Sequence, residues 1–278
     1  MILMHAYTYR AYDFERAVRK SVEFGYDGVE LVGSHYRIDH LKEDVASMDE
    51  ILNRHGQRAH VATFGANMLV KDADQRKANL VLWENAIKAF SAIGVGQLNG
   101  GVGQLYNEDP TRSGSAMATE EDYALAVEGL NHLVPMLRDY GMTMSLEIHM
   151  HTIHDCAAAT KKLLDMVGAI DTIYACPDPG NMFSTPHAEP AHEAVAMLEG
   201  YIGYFHAKNC IKIGPYYDYS TTLADGNVDW FKVMSALKAT GFKGAICEEY
   251  CGAGDPSIAA QSDIRYLKSL LDELEYDL

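Results

Sequence analysis

The sequence has no apolar run approaching the roughly 18 residues that would span a bilayer. Its opening, Met-Ile-Leu-Met-His-Ala-Tyr, has neither the basic region nor the small-residue cleavage site of a signal peptide, so a cytoplasmic protein with no membrane partner is expected. Paired cysteines are missing too: Cys156, Cys176, Cys210, Cys247 and Cys251 form no C-x-x-C unit. An odd count without secretion fits reduced thiols, buried as small apolar residues, rather than a disulfide frame. Positive charge is scarce, with 23 Lys and Arg against 39 Asp and Glu and a net charge of −16. The basic residues gather into no stripe, and phosphate backbones repel such a surface, so nucleic acid is not an expected partner. Nor is there a Pro/Ser-rich linker, an internal repeat or a low-complexity tract to divide the chain.

What is present is an alternation of short β-type runs with longer segments of helical period, sustained over residues 1–278. Strands are expected at 2–5, 28–32, 58–63, 95–99, 143–149, 172–178, 204–207 and 245–250. Helices are expected at 14–24, 41–55, 75–93, 120–140, 156–167, 189–199, 230–240 and 257–274, several of them stopping at a glycine such as Gly25, Gly94 or Gly168. Eight such β/α phrases in 278 residues match a single-domain α/β protein of the (β/α)8 TIM-barrel class, which needs about 250 residues; a doubly wound open sheet is the rival. The Gly- and Ser-rich stretch 100–119 is expected to be a long loop at the barrel mouth, either a neutral insertion or a lid or oligomer contact.

Active sites of such barrels lie where the strands end. The fifth expected strand ends Glu147-Ile148-His149, the sixth Pro177-Asp178, the seventh His206-Ala207-Lys208 and the eighth Glu248-Glu249-Tyr250. Taken singly, a rim Glu is more often solvated or salt-bridged, and a lone His more often packs. Carboxylates converging from consecutive strands would repel one another, however, and a divalent cation would supply the missing charge. Three carboxylates and one imidazole suit Mn2+ or Mg2+ better than a thiolate-rich zinc site, with Co2+ and Zn2+ open.

At this point a resemblance can be stated. The runs Gly25-Tyr26-Asp27-Gly28-Val29-Glu30-Leu31, Glu147-Ile148-His149, Asp178-Pro179-Gly180-Asn181, His206-Ala207-Lys208-Asn209, Asp225-Gly226-Asn227-Val228-Asp229-Trp230 and Gly241-Phe242-Lys243-Gly244, leading to Glu249, resemble in order the xylose isomerase-like TIM-barrel superfamily. The resemblance spans essentially the whole chain. It implies one metal ion, Mn2+ first, held by Glu147, Asp178, His206 and Glu249. A one-residue shift would turn Glu248 inward instead; the family pattern of a ligand just before an aromatic, here Tyr250, favours Glu249. His149 and Lys208, each two residues beyond a ligand, are candidates for proton transfer and for holding a substrate oxygen. Glu30 is a candidate pocket residue, and His5, His60, His151, His154 and His187 are candidates for the mouth. Trp83 and Trp230 read as packing residues, whereas Tyr216, Tyr217 and Tyr219 could cover a polar ring or sit at a subunit contact.

The resemblance implies a small carbohydrate-like substrate, with self-association left open. Proton transfer through a metal-stabilised enediolate, with Glu147 and Glu249 as base and acid, would give an isomerase or epimerase. Expulsion of a β-hydroxyl from the same enediolate would give a lyase or dehydratase. That alternative draws on the stretch from Glu147 to Asp155, which is similar to the Glu-x-His-x-x-Thr-x-x-Asp run of some 3-dehydroshikimate dehydratases. Endonuclease IV of the same superfamily carries a histidine where this chain has Asn181. A barrel that only binds a sugar is the non-enzymatic reading, and loss of any of the four strand-end ligands would have favoured it.

Overall fold

Alternation along very short strands sets the architecture. The computed structural model describes residues 1–278. Eight parallel strands make the barrel: β1 (Ile2–His5), β2 (Gly28–Glu30), β3 (Val61–Thr63), β4 (Gln97–Gly100), β5 (Thr143–Glu147), β6 (Ile173–Cys176), β7 (Phe205–Ala207) and β10 (Ile246–Glu248). Between the last two, β8 (Ile211–Ile213) and β9 (Tyr216–Asp218) form an antiparallel hairpin outside it.

The barrel consists of two four-stranded halves, ordered β2-β1-β10-β7 and β3-β4-β5-β6. Single parallel bridges join them, Leu31 with Ala62 at one seam and Ala175 with Ile202 at the other. Every second residue points inward. Leu3, Val61, Cys176, Tyr204, Ala245 and Cys247 fill the lumen, while their neighbours Met4, Ala62, Ala175, Phe205 and Ile246 belong to the larger core under the helices.

The helices are α1 (Phe14–Phe24), α2 (Leu41–Arg54), α3 (Ala73–Ser91), α4 (Glu120–Asp139), α5 (Ala157–Val167), α6 (Pro179–Ser184), α7 (Ala191–Met197), α8 (Trp230–Ala239) and α9 (Ser257–Glu273). Asp13, Asp72 and Asp229 cap α1, α3 and α8 by accepting from a backbone N–H three residues on, and Thr119 with Asp122 forms a capping box on α4. No helix is long and apolar enough to cross a membrane. All five cysteines are free, four of them buried.

The expected order of elements and the barrel hold. Most strands are shorter than expected, since the residues flanking them leave the hydrogen-bonded ladder to turn toward helices or loops. Two features were not anticipated: the short helix α6 directly after Asp178, and the β8–β9 hairpin. Both occupy segments too short to show a period. Trp83 and Trp230 are fully buried, Trp83 edge-on to Phe64 with ring centroids 5.0 Å apart.

Parity also separates two adjacent acids. Cys247 faces the lumen, so Glu249 does as well, whereas Glu248 lies on the outer face against α9. There it accepts from the Tyr26 hydroxyl at 2.9 Å and meets Asp263, another buried acid. Burial raises both carboxyls, Glu248 well above the usual range and Asp263 from 3.8 to about 7. An acid whose pKa rises on folding contributes stability that is complete below its unfolded pKa and lost as pH climbs through the folded one. For Asp263 that window runs from 3.8 to about 7. Asp263→Asn keeps an oxygen for the Leu223 N–H that Asp263 now accepts at 2.8 Å. Its stability relative to wild type, measured by urea denaturation, should therefore improve steadily across that window; a pH-independent difference would contradict the assignment.

Candidate active site at the mouth of the barrel

Four side chains meet where the lumen opens. Glu147 ends β5, Asp178 lies two residues past β6, His206 is in β7 and Glu249 follows β10. One ligand-type atom from each lies within 4.8 Å of the others. His206 Nδ1 is the hub, 3.7 Å from Glu147 Oε1, 3.9 Å from Asp178 Oδ2 and 3.9 Å from Glu249 Oε2. That nitrogen is buried and has no hydrogen-bond partner. Buried polar atoms are rarely left so, and an unpaired nitrogen facing three carboxylate oxygens is a donor set that a divalent cation would satisfy. The residues present thus fit one such ion.

The local sequence explains how Asp178 reaches this place. Its Oδ1 accepts the Asn181 N–H at 3.0 Å and so caps α6, while Pro179 takes the first helical position, where no N–H is needed. Oδ2 is left facing the cluster. Gly180 permits the approach, because a Cβ there would lie 2.8 Å from the Lys208 carbonyl oxygen. Asn181 then donates its side-chain N–H to Asp178 Oδ2 at 2.8 Å and to Glu147 Oε1 at 3.1 Å, tying two of the four together.

His206 is held from behind. Its Nε2 lies 3.0 Å from Glu30 Oε2 and 3.1 Å from the Asn99 amide. Donation from Nε2–H to Glu30 leaves the Nδ1 lone pair facing the three carboxylates, the usual arrangement behind a metal-binding imidazole. Glu30 is completely buried and also accepts from the Tyr204 hydroxyl at 2.7 Å and from Thr63 Oγ1. His5 stands beside it, with Nδ1 3.5 Å from Glu249 Oε1 and its ring 5.2 Å from that of His206.

Charge is finely divided here. Burial, the largest single influence, pushes the Glu147 and Glu30 carboxyls up, but His206 acting with His149 and Lys208 at Glu147, and with His5 and Thr63 at Glu30, overcomes it and holds both at about 2. Glu249 likewise sits far below the usual range, burial being overcome by Lys208, His5 and His206. Asp178 is raised, first by burial and then by Glu147 and Glu249. Burial also works against positive charge on His206 and Lys208, yet the surrounding carboxylates keep both well above their ordinary values. In this arrangement a second proton on His206, at Nδ1, and the Lys208 ammonium balance the acids; a divalent cation bound through the Nδ1 lone pair would take that proton's place.

Lys208 Nζ lies 2.9 Å from Glu249 Oε2 and 3.0 Å from Asp178 Oδ2, closer to the cluster than a purely substrate-facing residue. His149 lines a cavity of about 340 Å³ over β3, β4 and β5, with Glu147, Thr63, Asn67, Gln104 and Thr152. Gly100 shapes its floor: a Cβ there would fall 1.9 Å from the Phe64 carbonyl oxygen. His154 is buried under the 100–119 loop, facing the Val102 N–H at 3.4 Å. His187 pairs with Asp155 at 3.1 Å, and His151 lines a second cavity. His60 does not reach the mouth, because it precedes β3 at the other end of the barrel, beside Gly28. Sequence reasoning missed Asn181 and Asn99 as partners of the cluster; their only sequence signal was an amide on a strand end or first helical turn.

A parallel eight-stranded barrel with acids and a histidine gathered at the strand ends defines an α/β-barrel protein of the enzyme-bearing kind. The family model described as xylose isomerase-like TIM barrel matches residues 18–270, and the chain belongs to that family. Its sequence is 23% identical over 263 residues to an inosose dehydratase of Clostridium perfringens, covering 88% of this chain and 84% of the relative. Among solved structures it is similar to D-allulose 3-epimerase from Methylomonas sp., with a TM-score of 0.79, 21% identity and 97% of each chain covered. It is also similar to a xylose isomerase-like TIM-barrel protein from Mycobacterium smegmatis in complex with magnesium, with a TM-score of 0.76, 17% identity and 98% and 97% covered.

Removing Glu30 would strand the Tyr204 hydroxyl and His206 Nε2 without an acceptor. Glu30→Ala should lower unfolding stability by about 3–5 kcal/mol, the range for breaking a buried ionic pair, as read from chemical denaturation. A loss below about 1 kcal/mol would show that His206 is held by other groups.

Proposed function

We propose that the protein is a divalent-metal-dependent isomerase or epimerase of a sugar or related polyol ketone, with Glu147, Asp178, His206 and Glu249 as the metal ligands. The observation that carries this reading is the unpaired His206 Nδ1 facing three carboxylate oxygens, beside a polar cavity walled by Glu147 and His149. A protein of similar fold solved in complex with magnesium supports a divalent ion as the partner of this donor set. The oxygen-rich donor set favours Mn2+, with Mg2+ next.

When bound, the cation acts as a Lewis acid on a hydroxy-ketone and acidifies the C–H beside the carbonyl. Glu147, whose ionised form a cation in the place of the His206 proton would also favour, accepts that proton. Glu249 comes from a strand three places further round the barrel, and the Lys208 ammonium, 2.9 Å from its Oε2, is the group from which it would take the proton that it then returns to the substrate. A proton returned to the same carbon from the other face is epimerisation; one returned to the neighbouring carbon is isomerisation. Lys208 Nζ, which here touches Asp178 Oδ2 and Glu249 Oε2, would be placed to hold a substrate oxygen, and His149 to move a proton at the cavity wall.

A dehydratase is the second reading, favoured by the inosose dehydratase relative and by His149 standing beside Glu147 in one cavity. There His149 would remove the proton α to the ketone and pass it to the β-hydroxyl, whose C–O bond breaks as the enediolate collapses, so that it leaves as water.

The test is incubation of the Mn2+-supplied protein with ketoses, inososes, keto-glycosides and dehydroshikimate in D2O. Metal-dependent deuterium incorporation without loss of water is the expected result; water loss selects the dehydratase, and exchange that survives exhaustive chelation overturns the metal mechanism. Glu147→Gln should cut turnover by about 100-fold or more while leaving the far-ultraviolet circular dichroism of the fold intact.

A further inference from the structure

A second cavity, of about 300 Å³, lies across the mouth from the first. Its apolar wall is Met150, Pro186, Pro215, Tyr216, Tyr217 and Tyr219, drawn from the segment after β5, the turn after α6 and the β8–β9 hairpin. The chain places it against the cluster. Ser184 and Thr185 close α6, the helix that Asp178 caps. The Tyr219 ring centroid is 5.6 Å from Lys208 Nζ, which touches Asp178 and Glu249, and the Tyr219 hydroxyl donates to Ser184 Oγ at 2.5 Å. On the other side, His149 lines the first cavity while Met150 and His151 line the second. Both cavities thus border the four-residue centre, the first through Glu147 and the second through Tyr219 beside Lys208.

His151 supplies the independent sign of a ligand. It has φ 67, a left-handed conformation that costs a histidine energy and is retained at sites where the surroundings enforce it. Its ring is stacked on Tyr106 at 4.5 Å, and its Nδ1 is buried without a hydrogen-bond partner. Tyr216 stays 75% exposed at the cavity edge, a large ring with little to cover it. Neither cavity is lined by a lysine or an arginine.

Building on the isomerase or epimerase reading, we infer that the second cavity is a subsite for a neutral ring carried by the reacting keto-sugar through a glycosidic oxygen, so that the substrate is a glycoside rather than a free or phosphorylated monosaccharide. Tyr216 and Tyr217 present faces on which an apolar ring face stacks, and Ser113 and Thr185, which line the cavity beside His151, offer polar partners to a hydroxyl at its edge. An aromatic aglycone and a second sugar share this chemistry, an apolar face bordered by hydroxyl groups.

The test is calorimetric binding of methyl β-D-glucopyranoside, phenyl β-D-glucopyranoside, cellobiose and glucose 6-phosphate to the Mn2+-supplied protein. Phenyl glucoside or cellobiose should bind about tenfold more tightly than the methyl glucoside, the larger of the two gains telling an aryl group from a second sugar. The paired substitutions Tyr216→Ala and Tyr217→Ala should bring that ratio close to one. His151→Gly suits the left-handed backbone, so it should fold and still lose affinity for the ring-bearing ligands. Equal affinities for methyl and ring-bearing glucosides, a ratio indifferent to these substitutions, or tightest binding of the phosphate would overturn the subsite. Metal-dependent exchange on free ketoses with no ring preference would sink the subsite alone. A ring preference without any exchange would support the subsite and sink the isomerase reading.

Discussion

His206 has two ring nitrogens and each faces a different surrounding, and the mouth of the barrel is organised about that division. Behind it, a fully buried Glu30 gathers Tyr204, Thr63 and the imidazole Nε2 into one network. In front, Nδ1 looks out at three acids that none of the surrounding hydrogen bonds neutralises completely. An imidazole free to rotate could not keep these two roles apart; the network fixes it, and the positions of Glu147, Asp178 and Glu249 acquire meaning only relative to that fixed nitrogen. The low pKa of Glu147 and the high one of Lys208 follow from the same crowding of charge into a buried volume.

Much of this was legible in the sequence because the signals were geometric. A strand residue two positions from another shares its face, so residues at strand ends can be assigned to the lumen once the strand is found. Glu147, Asp178, His206 and Glu249 were all within two residues of a strand terminus. The parity that sends Glu249 inward and Glu248 toward Asp263 could not be read with the same assurance, since it turns on a single residue of register. The network behind His206 was out of reach for a different reason: Glu30, Asn99 and Tyr204 are brought together only by closure of the barrel, and no local pattern records which strands become neighbours across a seam. Helix α6 and the β8–β9 hairpin escaped because a six-residue helix and three-residue strands carry too little periodicity to be seen.

The segments that differ most from an idealised barrel are those that shape access to the centre. The 100–119 loop is pinned through Ser115, whose hydroxyl donates to Asp155 at 2.6 Å, and through Leu105, whose N–H donates to the His151 carbonyl at 2.8 Å. It therefore behaves as a structured wall shared by both cavities, with Gln104 in one and Pro110 and Ser113 in the other. The motif Asn209 has a comparable bracing task. Its side chain accepts the Cys210 and Val228 N–H groups and donates to the Leu223 carbonyl, so that the loop returning to α8 is fastened next to Lys208. What reads as a run of family residues is here a set of braces around one lysine.

The division of the barrel into two half-sheets bears on how the centre and the fold are coupled. Glu147 and Asp178 belong to the half built on β3 to β6, while His206 and Glu249 belong to the half built on β7, β10, β1 and β2. The seam between β6 and β7 is closed by the bridge at Ala175 and Ile202, where the Ala175 N–H donates to the Tyr201 carbonyl at 2.8 Å and the Gly203 N–H to the Ala175 carbonyl at 3.1 Å, and by the His206 N–H donating to the Pro177 carbonyl at 3.0 Å. An ion gripped by all four side chains would rivet the two shells of the barrel together across this seam, so that the same contact preparing the chemistry would also hold the cylinder shut.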